Sequence, residues 1–199
     1  MTIFSKDYFK GKGSNYDDYT KKRYDELADE ISFVLGIQPD DVVMDYGCAT
    51  GCLTKSLLRY TPFVYGTDIS KWAIDYGIKN LKLKNNIFHY NKSLLCYPND
   101  YVIMLDVLEH CTDEELSDIF HKLSRNVKLN KIVVRIPVSV KEGYNYFLPV
   151  SQNDRTHIQV HCKKWWREFF KKYGFKVCDI MDSSHIYNSA GVLAWVIKK

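Results

Sequence analysis

The run VVMDYGCATGCLTKSLL, residues 42–58, restricts the fold more than any other part of the chain. Val42, Val43 and Met44 read as a buried strand that ends in an acid, Asp45. Gly47, Ala49 and Gly51 alternate through the turn that follows, and Leu53, Leu57 and Leu58 repeat at helical spacing. Small residues let the backbone of such a turn approach a ligand, and the first N–H groups of the next helix have no intrahelical partner. Strand, tight turn and helix in this order open the nucleotide-binding half of an open α/β sheet.

The acid decides which nucleotide fits. A dinucleotide turn has the form G-x-G-x-x-G and places a pyrophosphate over the helix start. Here the form is D-x-G-x-A-x-G, and Asp45 would repel a pyrophosphate but suits a cationic ligand. A second acid supports the reading. Asp68 ends the apolar run PFVYGTDI, 23 residues after Asp45, where a carboxylate can accept both hydrogen bonds of a ribose diol. Ser70 reads as the cap of the next helix, and the two roles are compatible.

The stretch DYGCATG resembles the first motif of class I S-adenosylmethionine (SAM)-dependent methyltransferases, commonly E/D-x-G-x-G-x-G, with Ala49 at the middle glycine. The resemblance implies SAM as cofactor. Asp45 would act on its amino end, the turn Gly47, Cys48, Ala49 and Gly51 would approach it closely, and Asp68 with Ile69 would take the nucleoside. It also implies an α/β, Rossmann-like fold: a seven-stranded, mostly parallel sheet with helices on both faces and the last strand antiparallel.

The remaining motifs keep the family's order. DYVIML (100–105) is a buried strand, and DVLEH after it resembles the post-strand xVLEH motif of ubiquinone-biosynthesis-like methyltransferases. By that resemblance Leu105 and Asp106 line the methionine part of SAM and His110 points toward the methyl; otherwise Asp106 caps a turn and His110 lies at the surface. Asn91, after a strand over 86–90, stands where the family faces the adenine amino group, or it is a turn residue. Residues 1–19 carry Tyr8, Phe9, Tyr16 and Tyr19 and resemble arms whose tyrosines fold over the cofactor, so the segment is either a lid holding Tyr16 and Tyr19 to the site or a loose arm.

Elsewhere periodicity speaks alone. Tyr24, Leu27, Ala28, Ile31 and Leu35 form a helix that Gly36 ends. A further helix is expected over Trp72–Leu83. Thr112 and Glu115 form a capping box before the stripe Leu116, Ile119, Phe120, Leu123 and Val127. KIVVRIP (131–137) is the fifth strand. Residues 138–161 show no stable period and read as an acceptor-side loop. It contains a D-x-T-H segment, also matching the family. If the acceptor is a hydroxyl, a general base helps, and His157, His110 and Asp154 are the candidates in that order. Trp166, Phe169, Phe170 and Tyr173 share a core-facing helical stripe; strands over 175–180 and 192–197 complete the chain.

Composition sets the bounds. At 199 residues, 46% hydrophobic and 15% aromatic, the chain is expected to form a single globular domain, residues 1–199. No apolar run could span a bilayer, and the start MTIFSKDYFKGKG has no apolar signal region. Six scattered cysteines without a C-x-x-C pair suit a reducing cytoplasm, and no ligand spacing asks for a metal, so none is expected. A net charge of +4 is too mild to imply nucleic acid. The expectation is methyl transfer to a small-molecule or glycan acceptor, at oxygen, by a chain that could form a homodimer. Two alternatives stand beside it: a non-catalytic SAM-binding subunit, and an NAD-dependent oxidoreductase, which the missing third glycine disfavours.

Overall fold

Alternation along the strands decides which helix covers which side of the sheet. In the computed structural model, which describes residues 4–11 and 21–199, strands β1 (Val43–Tyr46), β2 (Val64–Asp68), β3 (Ile87–His89), β4 (Tyr101–Leu105) and β5 (Lys131–Pro137) run parallel. Strand β6 (Lys176–Ile180) and β7 (Val192–Lys198) complete a seven-stranded sheet of order β3-β2-β1-β4-β5-β7-β6. The last strand, β7, lies antiparallel to both neighbours, as the resemblance implies.

Val43, Ile103, Val133 and Val196 point to one face, where Leu27, Ala28, Ile31 and Leu35 of α1 (Lys21–Leu35) and Leu57 of α2 (Cys52–Leu57) bury them. Met44, Val102, Met104 and Val134 point to the other, against Leu116, Ile119, Phe120 and Leu123 of α4 (Asp113–Arg125) and Trp166 and Phe170 of α6 (Lys163–Lys172). Helices therefore cover both faces. Each fully buried aliphatic or aromatic side chain in these layers contributes roughly 1.5–3 kcal/mol of transfer free energy. The capping box of α4 is complete: Thr112 Oγ1 accepts from the Glu115 N–H, and the Glu115 carboxylate accepts from the Thr112 N–H. Gly36, at φ 73°, ends α1 in the left-handed region.

Three expectations need correction. The α4 stripe stops at Leu123: the helix ends at Arg125, Asn126 caps it, and Val127 is 98% exposed. The helix expected over 72–83 is α3 (Lys71–Tyr76), continued by a wider π-helical turn, Gly77–Leu81. The 138–161 segment is not wholly irregular: α5 (Pro149–Asn153) forms inside it, with Pro149 at its first turn, and Ser139 bridges to Tyr146 and Cys162. A five-residue helix is too short to display a 3.6-residue period.

The order of strands reverses between β1 and β4, and an open α/β sheet leaves its ligand crevice at such a switch point. Asp45 ends one side and Leu105-Asp106 the other. The floor beneath the turn is tight. A Cβ on Gly77 would stand 2.2 Å from the Thr50 carbonyl oxygen. Glycine to alanine inside a helix ordinarily stabilises by about 1 kcal/mol. Here overpacking against backbone reverses the sign, so Gly77→Ala is expected to lose about 1–3 kcal/mol in urea denaturation; a gain would refute this packing.

Candidate functional site

Two adjoining cavities open at the switch point. The larger, about 620 Å³, runs from Asp45 and Gly47 past Asp106 to Glu109, Asp154 and His157. The smaller, about 150 Å³, is bounded by Asp68, Ile69, Val107, Tyr90, Phe4 and Phe9. Tyr8, Gly47, Asp106 and His110 belong to both, so one elongated ligand could occupy the two with its middle over Gly47.

The carboxylate of Asp68 organises the smaller cavity. Its Oδ2 accepts from the Ala49 N–H at 2.9 Å and its Oδ1 from the Ser70 N–H at 2.8 Å. Burial pushes its carboxyl up, opposed by those two bonds. Each oxygen keeps a lone pair for a further donor. Ser70 also caps α3, accepting from the Ala73 N–H, while its hydroxyl donates to the Phe4 carbonyl oxygen. The glycine turn is left-handed at three places, with φ 77° at Gly47, 51° at Ala49 and 81° at Gly51. A Cβ at Gly47 would stand 2.3 Å from a Val107 methyl, so this position must be glycine to bring the turn against the β4 loop.

Asp45 is buried, 4% exposed, and accepts a hydrogen bond from Thr54 Oγ1 at 2.7 Å. Burial pushes its carboxyl up to about 6; the Thr54 bond opposes that and the Asp68 charge adds to it. A buried carboxylate with one partner is poised for a cation.

Across the crevice, Asp106 is held at φ 54°, a strained conformation for a side-chain-bearing residue. The Arg135 Nε–H donates to both of its carboxylate oxygens at 3.0 Å, and Nη2 makes a further short contact. Arg135 is 6% exposed at the end of β5, and the Asp106 N–H donates to its carbonyl. The ion pair and the backbone bond together hold the β4 loop in this shape.

The far end of the larger cavity is built from that loop and residues 151–159. Glu109 is fully buried, and neither carboxylate oxygen has a hydrogen-bond partner among the described residues. Burial, with the Asp106 charge next, pushes its carboxyl well up. The Glu109 carbonyl accepts from the N–H groups of Ile158 and Gln159, which locks the two segments together. Thr156 Oγ1 donates to Asp154 Oδ1 at 2.6 Å and accepts from His110 Nδ1 at 2.8 Å. His157 Nδ1 donates to the Ser151 carbonyl at 3.0 Å. Both imidazoles thus carry their proton on Nδ1, and neither Nε2 makes a hydrogen bond among the described residues, although Asp154 Oδ2 stands 3.7 Å from that of His157. Burial, then the neighbouring His157, lowers His110 to about 4; burial lowers His157 as well. Burial acts to raise Asp154, but hydrogen bonds from Thr156 outweigh it and hold the carboxyl below its usual value. Residues 4–11 close this end: the Tyr8 hydroxyl donates to Asp154 Oδ2 at 3.2 Å, and the Phe4 ring stands edge-on to His110.

Of the residues singled out from the sequence, Asp45, Gly47, Cys48, Leu105, Asp106, His110, Asp154 and His157 line the larger cavity, and Asp68 and Ile69 the smaller. Ala49 serves through its N–H. Gly51 lines neither cavity; its bare Cα instead lets Leu83 and Ile87 pack within 3 Å of where a Cβ would be. Asn91 also lines neither: its side chain accepts from the Ser93 N–H and hydroxyl, the turn role. Tyr16 and Tyr19 lie outside the described residues. Sequence reasoning passed over Glu109, Arg135 and Thr156, and named Tyr8 in the N-terminal arm without counting it among the site residues. A glutamate between Leu108 and His110, in a run buried by its neighbours, was the available signal for the first.

The chain matches the family described as "Methyltransferase domain" over residues 19–180. A probable cobalt-precorrin-6B C(15)-methyltransferase (decarboxylating) from Methanococcus vannielii is 29% identical over 113 residues, 53% of this chain and 61% of that protein. The chain thus spans less than two thirds of the length of the curated relatives it matches. Among solved structures, magnesium protoporphyrin IX methyltransferase from Synechocystis with bound SAH superposes with TM-score 0.62 at 18% identity, covering 100% of this chain and 88% of that one. The [4+2]-cyclase SpnF superposes with TM-score 0.65 at 16% identity, covering 88% and 81%. Likeness at this identity shows the fold, and the last case shows one fold carrying a differently named reaction.

Asp106→Asn separates charge from backbone strain, because asparagine tolerates the left-handed region. Loss of the charge-assisted bonds to buried Arg135 is expected to cost about 1.5–3 kcal/mol of stability in urea denaturation; unchanged stability would show the pair to be dispensable.

Proposed function

The chain belongs to the methyltransferase-domain family, and from that premise we propose that it transfers a methyl group from SAM to an oxygen of a small-molecule acceptor. One observation carries the reading: two buried or half-buried carboxylates, Asp45 and Asp68, end adjacent strands on either side of a glycine turn at the switch point. Their chemistry fits SAM, since a buried carboxylate suits the cationic amino group and a carboxylate with spare lone pairs suits a ribose diol. Held by Asp45 and Asp68, SAM would supply a methyl group activated by its sulfonium for transfer to the acceptor oxygen, with the neutral thioether as leaving group. A pyrophosphate cofactor would meet Asp45 instead, which argues against the nicotinamide reading.

The chain's own contribution is placement and exclusion of water. The Gly47 turn and Val107 fix the cofactor's middle. Leu148, Val150 and Tyr187 give the acceptor side an apolar wall. The combined cavities are within the usual size for small-molecule sites, so a compact acceptor, rather than a long glycan, suits them. Tyr8, hydrogen-bonded to Asp154 and shared by both cavities, acts as part of the lid. His157, His110 and Asp154 surround the acceptor's place, and one of them takes its proton. The six cysteines are free, which suits a cytoplasmic setting, and no described helix is long and apolar enough to cross a membrane.

Incubation with methyl-labelled SAM and a panel of hydroxylated small molecules tests the reading; label found in no acceptor, with no SAM affinity by calorimetry, would defeat it. Asp68→Ala is expected to weaken SAM binding about tenfold or more, the worth of a hydrogen bond to a charged group. The pH dependence follows from Asp45. Its folded pKa is about 6 without ligand, and a bound cation favours the carboxylate. Affinity should therefore be full above about pH 6 and fall by up to about tenfold per unit below it, as protons compete. Asp45→Asn should be weak throughout and lack that slope in calorimetric titrations.

A further inference from the structure

We propose that Glu109, His110 and His157 form a binding site for one divalent first-row transition-metal ion at the acceptor end of the larger cavity. One ligand atom from each of the three lies within 4.8 Å of the other two, and His157 Nε2 is 4.0 Å from Glu109 Oε1. An ion with bonds of about 2.0–2.2 Å needs its donors roughly 3–3.5 Å apart, so closing the site takes about an ångström of side-chain rotation.

A second, independent observation points to a ligand. Glu109 is 0% exposed, and both of its oxygens lack a hydrogen-bond partner among the described residues. Buried polar groups are otherwise almost always satisfied, and a lone buried carboxylate is costly. The Arg135 guanidinium donates to Asp106, and its charge offsets the burial of Glu109 only in part.

The surroundings orient the donors as ligands need to be oriented. The Ser151 carbonyl holds the proton of His157 on Nδ1. Thr156 Oγ1 does the same for His110, and is itself fixed by donating to Asp154. A metal-bound imidazole typically donates its other N–H to a carbonyl or carboxylate in this way. The Glu109 carbonyl, bonded to the Ile158 and Gln159 N–H groups, ties the two ligand-bearing segments together. Burial disfavours the charged form of both imidazoles, and the neutral form is the one that binds metal.

Two nitrogens and one carboxylate select the ion. Imidazole suits iron, cobalt, nickel, copper and zinc, whereas magnesium and calcium prefer oxygen sets. Three protein ligands leave at least one position for an acceptor heteroatom beside the methyl donor's place. With the imidazoles spent as ligands, Asp154 remains of the three groups that could take the acceptor's proton. The site stands on its own geometry, so methyl transfer could hold if the ion did not, and the reverse.

The test uses the full chain, stripped by dialysis against a chelator and titrated with Co²⁺, with Mg²⁺ as the oxygen-preferring control. The expected result is one Co²⁺ per chain, a visible d–d absorption band, and a rise in melting temperature that Mg²⁺ does not give at equal concentration. Glu109→Gln replaces a buried carboxyl that has no hydrogen-bond partner among the described residues, so its metal-free melting temperature should equal or exceed that of the parent. It should bind Co²⁺ at least tenfold more weakly. His157→Gln, checked for folding by circular dichroism, should show the same loss and decides the matter if Glu109→Gln fails to fold. Absence of stoichiometric Co²⁺ binding overturns the proposal. So does a band and melting shift retained by the folded variants, which would place the ion elsewhere.

Discussion

A single carboxylate with two backbone donors holds the crevice open in its working shape. Asp68 receives the N–H of Ala49, from the turn after β1, and the N–H of Ser70, from the start of α3. These donors come from two different strand-to-helix crossings, so the bonds set the spacing between the tips of β1 and β2. Asp45, one strand across, then faces the cavity, and Gly47 is pressed against Val107 from the β4 loop. Without that link the left-handed Ala49 would lack the bond that offsets its strain.

The elements that bury a repeating stripe could be read from the chain, because periodicity is what burial on one face requires. The five parallel strands, α1, α4 and α6 follow their patterns closely. What failed was local. Val127 continues the apolar spacing of α4, but Asn126 had already capped the helix, and spacing carries no information about where hydrogen bonding stops. The π-helical turn after Tyr76 has the composition of an ordinary helix. The place of β7 between β5 and β6 came with the resemblance, since antiparallel and parallel strands look alike in sequence.

The nucleoside side of the site was more legible than the acceptor side, for a physical reason. Asp45, Gly47 and Asp68 sit at fixed offsets within one β-α-β unit, so their sequence spacing is their spatial arrangement. Glu109 and His157 are brought together by backbone bonds from Ile158 and Gln159 to the Glu109 carbonyl, across nearly fifty positions of chain. Arg135 reaches Asp106 only because β4 and β5 are adjacent, with Leu105 in register with Arg135. Asn91 and Gly51 show the opposite error: residue types that a binding motif favours are also those that turns and close packing favour.

The two sides divide the burden of buried charge differently. At Asp106 a guanidinium is supplied by the protein, so the loop can be held in a strained conformation and remain rigid. Burial disfavours the ionised forms of Asp45 and Glu109, and at Glu109 the Arg135 charge opposes it only in part. Hydrophobic residues there would have given a more stable fold. Carboxylates buried at both ends of one cavity cost stability and favour positive charge there. The Glu109 end of the cavity differs from the Asp45 end in adding two imidazoles whose Nδ1 atoms are tied to protein oxygens, a donor set that favours a metal ion over an organic cation.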